Sequence, residues 1–114
     1  MFLEDVETTL KEVDPVVYYG MVDKSRAETE WNYTVFNRTR LTASTQKTSF
    51  GDAFDVHIVR ENYVPEGIDS EIIAKLCKLP GVRLAGEGTF DYVQKPNTNI
   101  VVEMLTIPFV RARK

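Results

Sequence analysis

The residues that could do chemistry in this sequence are few, and the most suggestive are Asp55 and His57, two positions apart. In a strand this spacing puts both side chains on one face, where they could bind a metal or act as an acid/base pair. His57 is the only histidine, and no cysteine pair or acidic cluster stands nearby to complete such a site. We therefore interpret the pair as a polar stripe on the solvent side of a strand whose other face carries Phe54, Val56 and Ile58.

Two other patterns point less clearly to chemistry. Gly86-Glu87-Gly88 has two glycines but lacks the third glycine and the strand-turn-helix context of a dinucleotide-binding loop. Serine and threonine nucleophiles would need a base, and no motif brings the single histidine beside one. The sequence thus predicts no catalytic residue, no metal and no cofactor. A small metal-dependent or hydrolytic enzyme centred on Asp55 and His57 is the alternative.

Composition favours an ordinary globular chain. The 114 residues are 43% hydrophobic and 27% charged, which predicts one domain over 1–114. The net charge of -3 gives no overall field to attract nucleic acid or anionic lipid. Acids interrupt the apolar residues of the N-terminus, which is typical of neither a signal peptide nor a membrane span, so we expect a cytosolic protein. Cys77, the only cysteine, lies among apolar residues and is expected to be buried.

Two amphipathic helices are predicted, near the N-terminus and around residue 72. Apolar residues recur there at spacings of three and four: Phe2, Val6, Leu10 and Val13, then Ile68, Ile72, Leu76 and Leu79. Pro15 ends the first helix, and Pro80-Gly81 ends the second. Asp69 is the expected N-cap of the second helix.

Five strands are predicted from runs of β-branched and aromatic residues. They are Val16 to Val22, Trp31 to Phe36, Phe54 to Val59, Val82 to Val93 and Asn99 to Arg111. The first is apolar on both faces and is expected to be central or doubly covered. In the second, Trp31, Tyr33 and Val35 share a face. Gly86 and Gly88 predict a bulge or bend.

The last two strands should form a hairpin through the turn sequence Lys95-Pro96-Asn97-Thr98. Because Pro108 cannot donate to a ladder, its end of the final strand is expected at a sheet edge or outside the sheet. The predicted fold is α+β, in the order α-β-β-β-α-β-β, with helices packed on a mostly antiparallel sheet.

The segment from Asn37 to Phe50 is long and polar, and we expect it to be a mobile hairpin arm or loop. Its candidate interface residues are Arg38, Arg40, Leu41, Lys47 and Phe50. Arg111, Arg113 and Lys114 form a second basic cluster, whereas Glu4, Asp5, Glu7 and Glu12 make the first helix acidic. This separation favours charge complementarity between neighbouring copies of the protein.

Three segments carry a resemblance to a known family: Phe54 to Asn62, Ile68 to Leu76, and Ile100 to Phe109. Their order and character resemble bacteriophage tail terminator (tail completion) proteins and the related small neck and minor capsid proteins of long-tailed phages. The likeness spans most of the chain and rests on the order of elements, since no invariant motif supports it.

The resemblance implies a structural protein of the virion that is not an enzyme and is assembled in the host cytoplasm. It would form a ring, commonly a hexamer, on the tail tube and join it to the head. The implied partners are copies of itself, the tail tube protein and head-connector proteins, with no membrane and no nucleic acid as main partner. The alternatives are a head-completion or connector component and a small ligand-binding regulatory module.

Overall fold

The computed structural model describes residues 2–20, 31–43 and 50–113. In chain order the elements are α1 (Phe2–Lys11), β1 (Val17–Tyr19), β2 (Tyr33–Ala43), β3 (Phe50–Glu61), α2 (Ile68–Leu76), β4 (Val82–Leu84), β5 (Thr89–Gln94) and β6 (Val101–Arg113). The predicted α+β class and mostly antiparallel sheet are confirmed. The order has one strand more than expected, because the chain from Val82 to Val93 breaks into two strands at the segment that contains Gly86 and Gly88.

The strands form one sheet in the order β1-β2-β3-β6-β4, and β5 pairs with β6 beyond β4. β1 runs parallel to β2, and the other pairs are antiparallel. The three central strands, β2, β3 and β6, have 11, 12 and 13 residues. At about 3.3 Å per residue they run for about 35–45 Å. They form a long three-stranded ribbon that the shorter elements flank.

Both helices pack on one face of the sheet, and the main hydrophobic core lies between. α1 buries Val6 and Leu10, and α2 buries Ile72 and Leu76. The i, i+4 spacing puts both residues of each helix on one side. The sheet contributes alternate residues of its long strands: Phe36, Phe54, Val56, Ile58, Leu105, Ile107 and Phe109. The predicted core faces of the two helices and of β3 are thus confirmed.

The opposite face of the sheet carries a second, smaller apolar cluster. Its buried members are Tyr33, Val35, Val59 and Val102, with Tyr18, Trp31 and Met104 packed against them. The prediction that Trp31, Tyr33 and Val35 share a face is therefore confirmed. Further along the same face the side chains become polar, at Asp55 and His57 on β3.

A buried ion pair ties the end of α1 to the sheet. Asp14 is 4% exposed, and its carboxylate accepts hydrogen bonds from the Val16 backbone N–H at 3.0 Å and the Thr34 hydroxyl at 2.8 Å. It also accepts from Nη2 of Arg60 at 2.8 Å. The three donors come from the residue before β1, from β2 and from β3. This carboxylate therefore fixes the chain where it enters the sheet.

The polar segment from residue 37 onward is strand rather than loop as far as it is described. Residues 37–43 continue β2, and they pair with β3 until Ala43 lies opposite Phe50. The segment thus takes the hairpin form of the two that were expected, and the prediction that the strand ends at Phe36 is wrong. Ladder hydrogen bonds come from the backbone, so a polar composition does not prevent them. Residues 44–49 lie outside the described part of the chain.

Two predictions about the positions of strands are wrong. β1 was expected to be central or doubly covered; it is not central, since among the described strands it lies at the edge of the sheet, although Val17 and Tyr18 pack against the apolar clusters on the two faces. The strand that contains Pro108 was expected at an edge, but β6 lies between β3 and β4. The Pro108 carbonyl accepts from the Ala85 N–H at 2.9 Å. The N and C=O of one strand residue point to the same side, so the Pro108 nitrogen also faces the break between β4 and β5, where a ladder donor is not required.

The ends of α2 also differ from prediction. The helix begins at Ile68, and its N-cap is Gly67, with φ of 95° and no capping side chain, so Asp69 is not the N-cap. Asp69 instead lies in the first turn and accepts a hydrogen bond from the Ser70 N–H at 2.8 Å. Cys77 follows the last turn and is exposed, contrary to the expected burial.

Candidate functional site: the basic end of the sheet

The predicted interface residues of β2 lie around a β-bulge at one end of the central ribbon. Arg38 is opposite Phe54 and Arg40 is opposite Ala53, so Thr39 is the extra residue of the bulge. In a regular strand Arg38 and Arg40 would share a face. Because of the bulge, Arg38 lies on the helix side of the sheet with its partner Phe54, and Arg40 lies on the opposite side with its partner Ala53. The bulge therefore spreads positive charge over both faces of the sheet.

These side chains are open to solvent. Arg38 and Arg40 are exposed, and the Leu41 side chain is 64% exposed. Nε of Arg38 donates to the Tyr19 hydroxyl of β1 at 3.2 Å, which holds it along the edge of the sheet. A groove of about 290 Å³ lies between residues 38–41 and Asp52. An exposed leucine beside arginines on the same strand can supply apolar contacts to another protein where the arginines supply ionic ones.

Arg111 of the second basic cluster reaches the same end of the sheet through β6, while the Arg113 side chain and Lys114 lie outside the described part of the structure. Asp52 on β3 lies opposite Leu41 on one side and Arg111 on the other. The Arg111 Nη1 atom is 3.7 Å from the Asp52 carboxylate, and its guanidinium carbon is 4.0 Å from the centre of the Phe2 ring. These contacts hold Arg111 by an ion pair and a cation–π interaction. We call Arg38, Arg40, Leu41, Asp52 and Arg111 the basic end.

The charges are less separated in space than in the sequence. Phe2 also contacts Phe54, with ring centroids 5.6 Å apart, so the first turn of α1 lies toward the basic end. That turn carries Glu4 and Asp5. Acidic residues of α1 therefore lie in a turn directed toward the basic end, and charge complementarity between copies stays a prediction.

The structure brings together three of the five predicted interface residues, Arg38, Arg40 and Leu41. Lys47 lies outside the described residues. Phe50 pairs through its backbone with Ala43 and Arg113, and its side chain is outside the described part of the structure. Sequence reasoning missed Asp52, whose position between the two basic strands depends on the pairing order of the sheet.

The Asp55 and His57 pair forms part of a polar row across three strands. His57 Nε2 is 2.8 Å from Oδ1 of Asn37, and Nδ1 is 2.8 Å from the Thr106 hydroxyl. In the neutral ring Nε2 donates to Asn37, and Nδ1 accepts from Thr106. Burial lowers the pKa of His57, and the Asp55 carboxylate opposes that shift. Both ring nitrogens are thus bonded to neighbouring strands, and within residues 2–20, 31–43 and 50–113 no three side chains of metal-binding type are grouped.

A further surface, absent from the sequence predictions, is the β5 edge, defined as residues 89–94. All six residues are exposed, including Phe90 at 52%, Tyr92 at 64% and Val93 at 52%. The Tyr92 phenol hydrogen-bonds to Glu103 of β6, which raises the pKa of Tyr92. The signal in the sequence was the alternation of Phe90, Asp91, Tyr92 and Val93, which puts large apolar side chains on both faces of one strand.

An apolar groove of about 130 Å³ runs beside this edge on the face away from the helices. Its lining residues are Trp31, Tyr33, Val59, Asp91, Tyr92, Val93, Val102 and Met104. The groove joins the second apolar cluster to the β5 edge, so apolar surface continues from the sheet face to the strand that borders it.

No family model matches the sequence, and no curated protein matches it at a significant level. The resemblance to phage tail terminators therefore stays a prediction. Among the described helices, none is long and apolar enough to cross a membrane.

Proposed function

We propose that the protein is a structural subunit of a phage virion, not an enzyme, and that it acts like a tail terminator. Copies of it would form a ring, commonly a hexamer, that caps the tail tube and joins the tail to the head. Its partners would then be itself, the tail tube protein and the head-connector proteins. The resemblance is the reason to expect this assembly, and the basic end is the observation that supports it.

The basic end has the composition of a protein-binding surface. Arginine is enriched at protein interfaces, and the basic end combines Arg38, Arg40 and Arg111 with the exposed Leu41. The side chains stand on paired strands, and Arg111 is further held by Asp52. A partner therefore meets groups that are already positioned, and little ordering entropy is lost at residues 37–43 on binding.

A head-completion or connector role fits the same observations equally, and a ligand-binding module fits them less well. A head-completion or connector protein would use the same basic end toward a different neighbour in the virion. A small ligand-binding module would need a mostly apolar pocket of roughly 300–1,000 Å³. The apolar groove is about 130 Å³, and the larger cavity of about 450 Å³ at residues 94–99 is lined mostly by polar residues of the turn before β6. We therefore retain the structural role as the proposal.

The test is the native mass of the purified protein over a range of concentration and salt, with negative-stain images of any large species. The informative pair of variants is Arg40→Glu and Lys78→Glu, since both reverse one exposed positive charge but only Arg40 belongs to the basic end. We expect rings in the wild type and in Lys78→Glu, and loss or weakening of rings in Arg40→Glu. Equal assembly of the two variants would remove the role given to the basic end. A wild type that forms no ring, alone or on tail tubes, would overturn the proposed function.

A further inference from the structure

The β5 edge has unpaired backbone groups in a defined pattern. The Lys95 N–H donates to the Ile100 carbonyl of the β6 side at 2.9 Å. Since successive residues of a strand direct their backbone groups to opposite sides, 89, 91 and 93 also bond toward β6, and Phe90, Tyr92 and Gln94 direct theirs outward. Among the described strands, β5 pairs only with β6. Three N–H and three C=O groups therefore line the outer side.

This edge lacks the usual protection against strand pairing. Natural edge strands are blunted by lysines, prolines or bulges, or are very short. β5 has six residues, with the sequence TFDYVQ, and its register against β6 runs without a break. Its only charge is Asp91, and large apolar side chains are exposed on both of its faces. Such a strand is built to be paired by another extended strand.

We propose that a second copy of this chain pairs with β5 in an antiparallel, two-fold arrangement, with Tyr92 opposite Tyr92 of the second copy. With the two-fold axis perpendicular to the sheet, the same face of both copies points the same way. Residues directly opposite each other must then lie on the same face, so their numbers differ by an even count. The residue at the axis is therefore opposite its own copy. The two registers that use most of the strand centre on Asp91 or on Tyr92.

The charge of Asp91 decides between these registers. If Asp91 were central, two carboxylates would lie directly opposite in a narrow pair with Cα atoms about 4.5 Å apart, and like charges in that position are destabilising. If Tyr92 is central, Asp91 lies opposite Val93 of the second copy, and the two carboxylates are diagonal neighbours about 7–8 Å apart.

The Tyr92 register also satisfies the outward backbone groups. Tyr92 pairs with Tyr92 and Phe90 pairs with Gln94 of the second copy, which gives about six backbone hydrogen bonds. The two Tyr92 rings meet on one face as a cross-strand aromatic pair, and each phenol is held by Glu103 of its own chain. The strand is therefore complementary to itself in charge, in hydrogen bonding and in apolar contact.

The contact is independent of the proposed ring. A two-fold contact closes on itself and yields a dimer, whereas a ring needs a contact between two different surfaces. The basic end and the β5 edge can therefore be tested separately: Arg40→Glu should leave the β5 dimer intact, and changes in β5 should leave ring contacts at the basic end intact.

Disulfide trapping tests the register. In a Cys77→Ser background, which removes the only native thiol, we compare Tyr92→Cys with Val93→Cys, because both variants keep Asp91. In the proposed register the paired 92 positions have Cα atoms about 5.5 Å apart, within disulfide range, while the 93 positions are diagonal neighbours about 7–8 Å apart and beyond it. We expect mild oxidation of dilute protein to give a covalent dimer with Tyr92→Cys and not with Val93→Cys. The reverse result, or no dimer with either variant, overturns the proposal.

Native mass provides a second test that keeps β5 free of cysteine. Tyr92→Pro removes an outward N–H and no β5–β6 ladder bond, so the variant should fold. Tyr63→Ser is the control, because it removes a tyrosine that is 69% exposed outside β5. All the proteins compared carry Arg40→Glu, which should remove the ring contact and leave the β5 contact. Sedimentation should then show a dimer for the Arg40→Glu parent, equal dimerisation of the Tyr63→Ser control, and a dissociation constant at least about tenfold higher for Tyr92→Pro. A parent that is monomeric at every concentration, or a Tyr92→Pro variant with unchanged dimerisation, contradicts the inference.

Discussion

Replacement of Asp14 by alanine should be among the most destabilising single changes in this protein. The carboxylate accepts hydrogen bonds from the Val16 N–H, the Thr34 hydroxyl and the Arg60 guanidinium, the last two at 2.8 Å. It is 4% exposed, and the Arg60 side chain is 14% exposed. The substitution therefore leaves a mostly buried guanidinium without its counter-ion and a hydroxyl without its acceptor.

The structure allows the magnitude to be worked out. Breaking a buried ion pair by removing one partner costs about 3–5 kcal/mol. One feature lowers this cost, because Arg60 still donates to the Tyr33 and Val59 carbonyls at 3.0 and 2.8 Å. Another raises it, because the Val16 and Thr34 donors also lose their acceptor. We expect Asp14→Ala to cost about 3–4 kcal/mol, and Thr34→Val, which removes one hydrogen bond to a charged group, about 1.5–2 kcal/mol.

The assay is urea unfolding at neutral pH and low protein concentration, with a double-mutant cycle between the two positions. Glu66→Ala is the control, since this exposed loop carboxylate should change stability by less than about 0.5 kcal/mol. The double variant should cost less than the sum of the single variants, because Thr34 has no carboxylate left to bond once Asp14 is gone. A cost below about 1 kcal/mol for Asp14→Ala would refute the reasoning, and strict additivity would show that the two groups do not interact.

Three further predictions concern other parts of the core and the turns. Gly81→Ala should destabilise the fold more than Gly67→Ala. Both glycines have positive φ, but a Cβ at 81 would lie 2.8 Å from the Ala112 carbonyl oxygen, while one at 67 meets nothing within 4 Å. Equal losses of stability in thermal unfolding would contradict this. Burial lowers the pKa of His57 below its ordinary 6.5, so the stabilisation that neutral His57 gives the folded state is fully present above pH 6.5 and is lost as the pH falls through the folded pKa. The wild type should therefore lose its stability advantage over His57→Gln between about pH 7.5 and about pH 5. An advantage that grows over this range would show that the sign is wrong. Phe109→Ala should cost about 3–5 kcal/mol in the same unfolding assay, because the ring is fully buried and stacked in the core; a loss under about 1.5 kcal/mol would be inconsistent with that packing.

The core could be predicted because it is encoded by local spacing. The buried pairs Val6 and Leu10, and Ile72 and Leu76, are one helical turn apart, and each can be found in a short window of sequence. The same rule, followed strictly, explains Cys77. It comes one residue after Leu76 and so is rotated about 100° from the buried side, which is why it is exposed although its neighbours are apolar.

The strand positions were predicted less well because they depend on pairing between distant segments. The polar residues 37–43 form strand because β3 lies alongside and supplies the ladder partners. Pro108 lies inside the sheet because the neighbouring strand happens to break opposite its missing donor. Neither partner can be identified from the local sequence, since a strand responds to the neighbours that cover it more than to its own propensity.

The candidate site was also predictable where the signal is local and not where it depends on strand pairing. Arg38, Arg40 and Leu41 could be singled out because basic and apolar residues are adjacent in a polar segment. Their meeting with Arg111 could not, because it requires β3 to lie between β2 and β6 with Asp52 at the matching position. The bulge at Thr39, which puts the two β2 arginines on opposite faces, also has no clear signal in the sequence.

The two surfaces have different origins in the fold. α1 and α2 have 10 and 9 residues and extend for about 15 Å, whereas β3 with 12 residues extends for about 40 Å. Because the helices are so much shorter than the ribbon, they cover only part of one face, and most of the basic end is open. The β5 edge is open for another reason: among the described strands β5 pairs only with β6, so its outer side carries exposed backbone groups and apolar side chains. A charge reversal at Arg40 and a proline at Tyr92 should therefore affect different contacts, and this independence is what the two sets of variants test.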